Sequence, residues 1–254
     1  MLATFLLLLL SSHAPAPARS LPPRPPVRCT STDGGTTGGC VLSNAYGAWS
    51  SDRADCPVSA VAYPASEQEV VAAVARASAT GARVKVVSGF AHTIPKLACP
   101  GGGNGTATTP TLLISTARLA GVEVDVAART VTADAGAPLR AVIDAAEARG
   151  LSLTAAPYWE GVSVAGLVST GSHGSSWWGR GGAVHDHVVG LRLVVAAGEA
   201  DGWARVLTLR TGDELFPAAL VSLGLLGVVS KVSDQTHHPY RNNGSKKSTC
   251  LFQI

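Results

Sequence analysis

The stretch Gly161–Gly182 reads GVSVAGLVSTGSHGSSWWGRGG, and small residues run through it almost without a break. It holds seven glycines and six serine or threonine residues in 22 positions. Glycine adopts the positive φ angles with which a backbone wraps closely around a ligand, and successive amides then form a concave anion site. We therefore interpret the stretch as a cradle for a pyrophosphate. A flexible Gly/Ser linker is the alternative, but apolar residues such as Val164 and Leu167 favour a packed segment.

The common nucleotide-binding fingerprints do not occur in this sequence. There is no G-x-x-x-x-G-K-[ST] motif and no strand–GxGxxG–helix followed by an acidic residue. The run GGGNG at 101–105 is a glycine-rich loop after Pro100. The cradle therefore indicates a fold other than the P-loop or Rossmann folds.

Other motifs accompany the cradle along the chain. They are CVLSNAYGAWSSDRADC (40–56), VAYPASEQEVVAAVARA (61–77), VVSGFAHTIPKLACPGG (86–102), VHDHVVGLRLVVA (184–196) and LGLLGVVSKV (223–232). In this order the chain resembles the FAD-binding domain of the vanillyl-alcohol oxidase / p-cresol methylhydroxylase family, and within it the plant aldonolactone oxidases. The resemblance covers roughly Cys29 to Val232.

That resemblance implies an α+β fold, a two-subdomain FAD-binding domain of the p-cresol methylhydroxylase type with FAD between the subdomains. It implies FAD-dependent oxidation of L-gulono-1,4-lactone, with oxygen as acceptor, towards L-ascorbate. The expected partners are thus a small sugar lactone and oxygen. Two alternatives stay open: another oxidase of the same superfamily, and a non-catalytic secreted FAD-binding fragment.

The resemblance also implies the site residues. His92 matches the histidine that aldonolactone oxidases join covalently to the flavin 8α-methyl group, although Phe90-Ala91-His92-Thr93 stands where the family has Gly-Gly-His-Ser. The other residues that we expect to bind FAD come from three motifs: Ser88, Gly89 and Thr93; Thr170, Gly171, Ser172, His173, Gly174 and Ser175; and Gly227, Val228 and Val229. For His173, a purely structural role is equally open.

Local patterns predict the elements around these motifs. Val58–Val87 reads as a β-α-β unit, in which Ser66 caps the helix, Glu69 reaches back to complete a capping box, and Gly81 ends it. The segments that we expect to be strands are 112–115, 122–126, 130–133, 188–195, 205–210 and 228–232, of which 188–195 and 205–210 read as a hairpin-like pair. We expect one helix that Pro138 opens and Gly150 closes, and a short helix over Asp213–Leu223.

The N-terminus reads as a targeting segment. Leu2–Leu10 is an apolar run too short to span a bilayer, and small residues follow it, so we expect cleavage near Ala18 or Ser20. This predicts the secretory pathway, with an extracellular or cell-wall destination, and membrane association only through an uncleaved leader. In that compartment we expect Cys29, Cys40, Cys56 and Cys99 to form two disulfides, with three connectivities open and Cys250 left over. The two glycosylation sequons are Asn104-Gly105-Thr106 and Asn243-Gly244-Ser245.

Other function classes have weak support. The net charge is +3 with no basic stripe, which disfavours nucleic-acid binding. His185-x-His187 could place two imidazoles on one face of a strand, but no third ligand is spaced nearby, so we assign no metal. Ser175 lies near His173 without a G-x-S-x-G motif, which disfavours a hydrolase.

The chain leaves the family pattern after about Val232. The remaining sequence is polar and aperiodic, and we expect a disordered tail. The predicted organisation is therefore a signal peptide (1–20), a Pro/Gly/Cys-rich segment (21–57), the FAD-binding domain (58–233) and a divergent tail (234–254). We expect a truncated chain, since the family places its catalytic residues in a substrate-binding cap domain beyond this point, and we assign no catalytic residue.

Overall fold

The computed structural model describes residues 26–31, 37–49, 55–100, 109–175 and 181–238. Several sequence-based predictions fall outside these ranges: the leader and its cleavage region, both glycosylation sequons, Cys250, the tail beyond residue 238, and the pair Trp177 and Trp178. They stay predictions.

The described residues form twelve strands and five α-helices. The strands are β1 Val27–Ser31, β2 Thr37–Ser43, β3 Asp55–Val58, β4 Ala60–Ala62, β5 Arg83–Val87, β6 Thr111–Ser115, β7 Val122–Asp125, β8 Thr130–Asp134, β9 Ser152–Leu153, β10 Val188–Ala196, β11 Ala204–Arg210 and β12 Val228–His237. The helices are α1 Glu67–Ala79, α2 Pro95–Ala98, α3 Leu139–Glu147, α4 Val164–Ser169 and α5 Phe216–Leu220.

The cysteine-rich segment forms an antiparallel sheet in the order β1-β2-β3. Cys29 lies directly opposite Cys40 in the β1–β2 pair, and a disulfide joins the two. A second disulfide joins Cys56 in β3 to Cys99 at the end of α2. Of the three connectivities that the sequence left open, the structure therefore has Cys29–Cys40 with Cys56–Cys99.

The smaller subdomain is the predicted β-α-β unit with one more strand. Its parallel sheet has the order β4-β6-β5, so β6 lies between the two strands that α1 connects. The side chain of Ser66 accepts from the amide of Glu69, as predicted for the N-cap. The carboxylate of Glu69 reaches back to the amide of Ala65, one residue earlier than a capping box requires. Val70, Ala73, Val74 and Ala77 form the buried face of the helix.

The larger subdomain is built on a sheet with the order β11-β10-β12-β8-β7, and β9 pairs with β12. The predicted hairpin-like pair is present, because β10 and β11 are antiparallel neighbours from Gly190–Arg210 to Ala196–Ala204. Helices α3, α4 and α5 cover this sheet and bury Val142, Val168 and Phe216 against it. The α+β class with two subdomains is confirmed.

Two predicted boundaries differ from the structure. The helix expected over Asp213–Leu223 is shorter in the structure, where it covers Phe216–Leu220. The last strand does not end at Val232: it continues through His237, so residues 234–237, which we assigned to the tail, belong to the sheet. Asp234 pairs with Val131 of β8, and Thr236 pairs with Leu153 of β9. Because this part of the strand is polar, its pairing could not be seen from hydrophobic alternation.

A polar cluster connects the two subdomains. The carboxylate of Glu67, at the start of α1, accepts two hydrogen bonds from the guanidinium group of Arg192 in β10, at 2.6 and 2.9 Å. It accepts a third from the hydroxyl of Ser230 in β12, at 2.6 Å. The hydrogen bond from Arg192 holds the pKa of Glu67 below its usual value. The cluster fixes α1 against the larger sheet. Within the described ranges, no helix is both long and apolar enough to cross a membrane.

Candidate functional site

A cavity of about 890 Å³ lies between the two subdomains. That volume is near the upper end of the range for small-molecule and cofactor sites. Most of its wall comes from three stretches of chain, within residues 81–93, 162–172 and 223–229. Other lining residues include Asn44 and Tyr46 of the cysteine-rich segment, and Trp203 before β11.

The loop after β5 brings His92 to this cavity. Val87 is the last residue that pairs with β6, and Ser88, His92 and Thr93 then line the wall. The amide of Ile94 donates to Nδ1 of His92 at 3.0 Å, so the proton of the neutral ring lies on Nε2. Burial lowers the pKa of His92, and the imidazole is therefore neutral at pH 7.

The backbone of this loop has unused donors. The amides of residues 89–93 donate to no other residue in the described part of the chain. Amides without a protein partner bind water or a ligand. The loop therefore offers a run of N–H groups beside the cavity.

The glycine-rich stretch is more regular than we expected. Its first half is the helix α4, which Ser163 caps by accepting from the amide of Gly166. Gly171 follows the helix with a φ of +66°. Its amide donates to the carbonyl oxygen of Val168, and the amide of Ser172 donates to that of Leu167, which ends the helix. Thr170 and Ser172 line the cavity. The cradle is thus mainly a helix and its C-terminal turn.

The remaining predicted residues of this stretch lie off the cavity wall. Gly171, His173, Gly174 and Ser175 are not among the lining residues, and neither is Gly89 of the other loop. His173 is exposed and pairs in a single bridge with Ala183. A Cβ on Gly174 would lie 2.6–2.7 Å from backbone atoms of Ala156. Here glycine serves the packing of two backbones.

The third stretch brings Gly227, Val228 and Val229 to the wall, as predicted. A Cβ on Gly227 would lie 2.8 Å from the carbonyl oxygen of Val194, so glycine lets β12 begin close against β10. Beside it, Leu225 is 76% exposed and Leu226 is 48% exposed. The wall at this place is glycine backbone and apolar side chains.

Sequence reasoning missed several lining residues. Lys85 of β5 lines the cavity and forms no ion pair within the described residues, and partial burial lowers its pKa. Tyr46, Phe90 and Trp159 form an aromatic cluster with ring centroids 5.2–6.0 Å apart. The motif SNAYGAW contains Tyr46, but it is distant from the other site residues in the sequence. Across the described residues, no group of three or more His, Cys, Asp or Glu side chains is arranged to hold a metal ion.

A family model described as FAD binding domain matches residues 58–200. L-gulonolactone oxidase 3 of Arabidopsis thaliana is 51% identical over 217 residues, which cover 84% of this chain and 35% of that protein. L-gulono-1,4-lactone dehydrogenase of Mycobacterium tuberculosis is 33% identical over 195 residues, covering 77% and 41%. The chain therefore spans about a third of the length of the plant relative.

Solved structures share the fold at low sequence identity. Cholesterol oxidase from B. sterolicum has a TM-score of 0.61 at 20% identity, over 73% of this chain and 34% of that one. Alkyldihydroxyacetonephosphate synthase has a TM-score of 0.60 at 22% identity, over 72% and 32%. At this identity the likeness concerns the fold alone.

The cavity wall fits FAD. The amides of residues 89–93 and the ammonium group of Lys85 suit a diphosphate, and the apolar and aromatic wall suits planar rings. At Gly227, which lies close against β10, the cavity wall is formed by the backbone itself. From the match to residues 58–200 and this donor set, the chain belongs to the FAD-binding-domain family, with the p-cresol methylhydroxylase type of fold and FAD as its cofactor.

Proposed function

We propose that this chain forms the FAD-binding part of an aldonolactone oxidase, which oxidises L-gulono-1,4-lactone with oxygen as acceptor, towards L-ascorbate. The observation that carries the proposal is the 51% identity to L-gulonolactone oxidase 3 over 84% of the chain. The matched length includes most of the cavity wall. Bound FAD supplies a hydride acceptor for the oxidation of a hydroxyl-bearing carbon.

In this proposal the residues of the wall divide the work of holding the cofactor. The loop amides and Lys85 bind negative charge, since both are donors without a partner in the described structure. Ser172 adds a side-chain hydroxyl after the end of α4, whereas the hydroxyl of Thr170 donates to the carbonyl oxygen of Gly166 at 2.8 Å. Gly227, Val228 and Val229 give an apolar backing that excludes water. Ser88, Gly89, Gly171, His173, Gly174 and Ser175 remain predicted contacts from the sequence.

His92 is the proposed attachment residue for the flavin 8α-methyl group. The support is its place on the cavity wall and its neutral imidazole, because the bond needs an unprotonated ring nitrogen, which an imidazolium lacks. The test is the visible absorption of the purified protein before and after acid precipitation. Yellow colour that stays in the pellet, and that His92→Ala releases, supports the attachment. Colour in the wild-type supernatant contradicts the covalent bond but keeps the FAD site.

The substrate is tested by anaerobic reduction of the bound flavin. We expect L-gulono-1,4-lactone to bleach the absorption near 450 nm faster than a sterol or a nicotine derivative, and admitted oxygen to restore it. Reduction by a different sugar or amine would favour another oxidase of the superfamily. A yellow protein that no lactone reduces would favour the alternative of a non-catalytic FAD-binding fragment.

We further propose that the chain enters the secretory pathway. The apolar run Leu2–Leu10 and the disulfides Cys29–Cys40 and Cys56–Cys99 support this, since disulfides persist in oxidising compartments. A tagged chain expressed in plant cells should appear in the medium or cell wall with a new N-terminus near Ala18 or Ser20. Removal of N-glycans should increase its gel mobility. Retention in the cytosol with Met1 intact would contradict the proposal.

A further inference from the structure

Residues 44–49, which follow β2, lie outside the residues that the family model matches, yet they contact the His92 loop. Asn44 and Trp49 are 7% and 6% exposed, and they flank a tight turn. Oδ1 of Asn44 accepts from the amides of Tyr46 at 3.0 Å and Ala48 at 3.1 Å, which fixes the turn and the amide group of the side chain. A buried side chain with this many partners has one orientation.

Both side chains donate to consecutive carbonyl groups of the loop. Nδ2 of Asn44 donates to the carbonyl oxygen of Ala91 at 2.8 Å, and Nε1 of Trp49 donates to that of His92 at 2.9 Å. The disulfide from Cys56 of β3 to Cys99 ties the strand that pairs with β2 to the end of α2, which follows the loop. The loop is thus fixed at its centre and beyond its end.

These two bonds decide where the neighbouring amides point. The described peptide bonds are trans, so each N–H is directed opposite to the C=O of its own peptide group. When Asn44 holds the carbonyl of Ala91, the amide of His92 points away from Asn44. In the same way Trp49 turns the amide of Thr93 away from itself. Neither amide donates to a described residue, and both residues line the cavity.

We propose that Asn44 and Trp49 are positioning residues, which turn the amides of His92 and Thr93 into the cavity as donors to the diphosphate of FAD. The inference rests on the FAD site of the proposed function. It extends the cofactor site into the cysteine-rich segment, and it gives that segment a role in binding. Two oriented amides form a preformed anion site that needs no cationic side chain.

The test compares two variants with a matched control. Trp49→Phe removes the indole N–H and keeps most of the apolar bulk. Asn44→Asp keeps the acceptor for Tyr46 and Ala48 but removes the donor to Ala91. The control is Ser59→Ala, which removes the contacts of the Ser59 hydroxyl with the amide and the hydroxyl of Thr111 in β6, both at 3.2 Å, and does not touch the loop. All proteins carry His92→Ala, which prevents a covalent bond and keeps the amide of that position.

Affinities are measured on apoprotein from riboflavin-starved cultures for FAD, ADP and riboflavin. FAD and ADP contain a diphosphate, and riboflavin does not. We expect Trp49→Phe and Asn44→Asp each to lower the affinity for FAD and for ADP about tenfold. This is the usual effect of one lost hydrogen bond to a charged group. Riboflavin affinity should change less than about twofold, and Ser59→Ala should change none of the three. Trp49→Phe carries the test if Asn44→Asp does not fold.

Two results would overturn the inference while the proposed function stands. One is wild-type affinity for FAD and ADP in a folded Trp49→Phe variant. The other is an equal loss for riboflavin and ADP, which would indicate a general structural effect. If the control protein with intact Asn44 and Trp49 binds neither FAD nor ADP, the proposed function and the inference both fail.

Discussion

The glycine-rich stretch 161–175 and the loop 88–93 form parts of one cavity wall, but they differ in how their backbone amides are used. In the stretch, the amides of Thr170, Gly171 and Ser172 close the end of α4, and that of Gly174 donates to Gly182. In the loop, the amides of residues 89–93 donate to no described residue. In the stretch 161–175, a high glycine content therefore indicates close packing. Backbone amides without a partner occur instead in the loop 88–93, where Asn44 and Trp49 bind the carbonyl groups.

The sharpest way to separate these roles is a matched pair of glycine substitutions. Gly174→Ala would place a Cβ 2.6 Å from the backbone of Ala156, and neither backbone can yield easily. We expect it to lower the free energy of unfolding by about 3 kcal/mol. Gly89→Ala meets nothing within 4 Å and should change stability by less than about 0.5 kcal/mol. Urea unfolding of both variants measures this, and equal effects would remove the distinction between the two regions.

The part of β12 that packs against α4 gives a second way to test whether the glycine-rich stretch is a packed element. Asp234 lines a small apolar cavity with Val164, Leu167 and Val168. Burial raises the pKa of Asp234 to about 7. Because the folded pKa lies above the unfolded one, its stabilising contribution is complete below about pH 4 and is lost as the pH rises through about 7.

Asp234→Asn should remove that loss. We expect the variant to be about 2 kcal/mol more stable than wild type at pH 8, with a difference that shrinks towards pH 4. Urea unfolding of both proteins from pH 4.5 to 8 gives the comparison, and other titrating groups cancel in the difference. Parallel curves would show that Asp234 titrates as an ordinary carboxyl group and that the region under α4 is hydrated.

Lys85 of β5, just before the loop 88–93, allows a test of the residues that we expect to bind FAD. Lys85 lines the cavity, and partial burial lowers its pKa because burial disfavours the charged form. Lys85→Met should lower the affinity for FAD about tenfold and make that affinity less dependent on the salt concentration. The same change should leave the unfolding free energy of the apoprotein equal or up to about 1 kcal/mol higher. Weaker FAD binding together with a destabilised apoprotein would instead indicate a structural role.

The contact between the subdomains should show the smallest effect. Glu67→Gln weakens the bonds to Arg192, whose side chain is 42% exposed, so we expect a loss of about 1 kcal/mol. The pKa of Glu67 is lowered in the fold, so its contribution is present above the unfolded pKa and is lost as the pH falls through the folded value. The difference between wild type and variant in urea should therefore shrink below about pH 4.5. A constant difference down to pH 3 would contradict this.

Much of the fold could be predicted from local patterns. Ser66 and the apolar spacing of Val70, Val74 and Ala77 located α1, and the alternating residues of β10 and β11 gave their pairing. The site was predicted less completely. His92, Thr170 and Gly227 lie on the cavity wall, but Lys85 and Trp203 were missed because nothing in their local sequence indicates that they face a ligand.

By itself the sequence determined the order of motifs and much of the two-subdomain α+β fold, because helix caps, strand periodicity and glycine turns are local properties. The candidate His92 came from the family resemblance that those motifs carry. Only the tertiary structure decided the pairing of Cys56 with Cys99 and the orientation of the His92 loop by Asn44 and Trp49. It also decided the burial of Asp234 in a strand that had read as a tail. These features depend on contacts between residues up to 103 positions apart, as between Asp234 and Val131, and no local pattern records which partner a side chain meets.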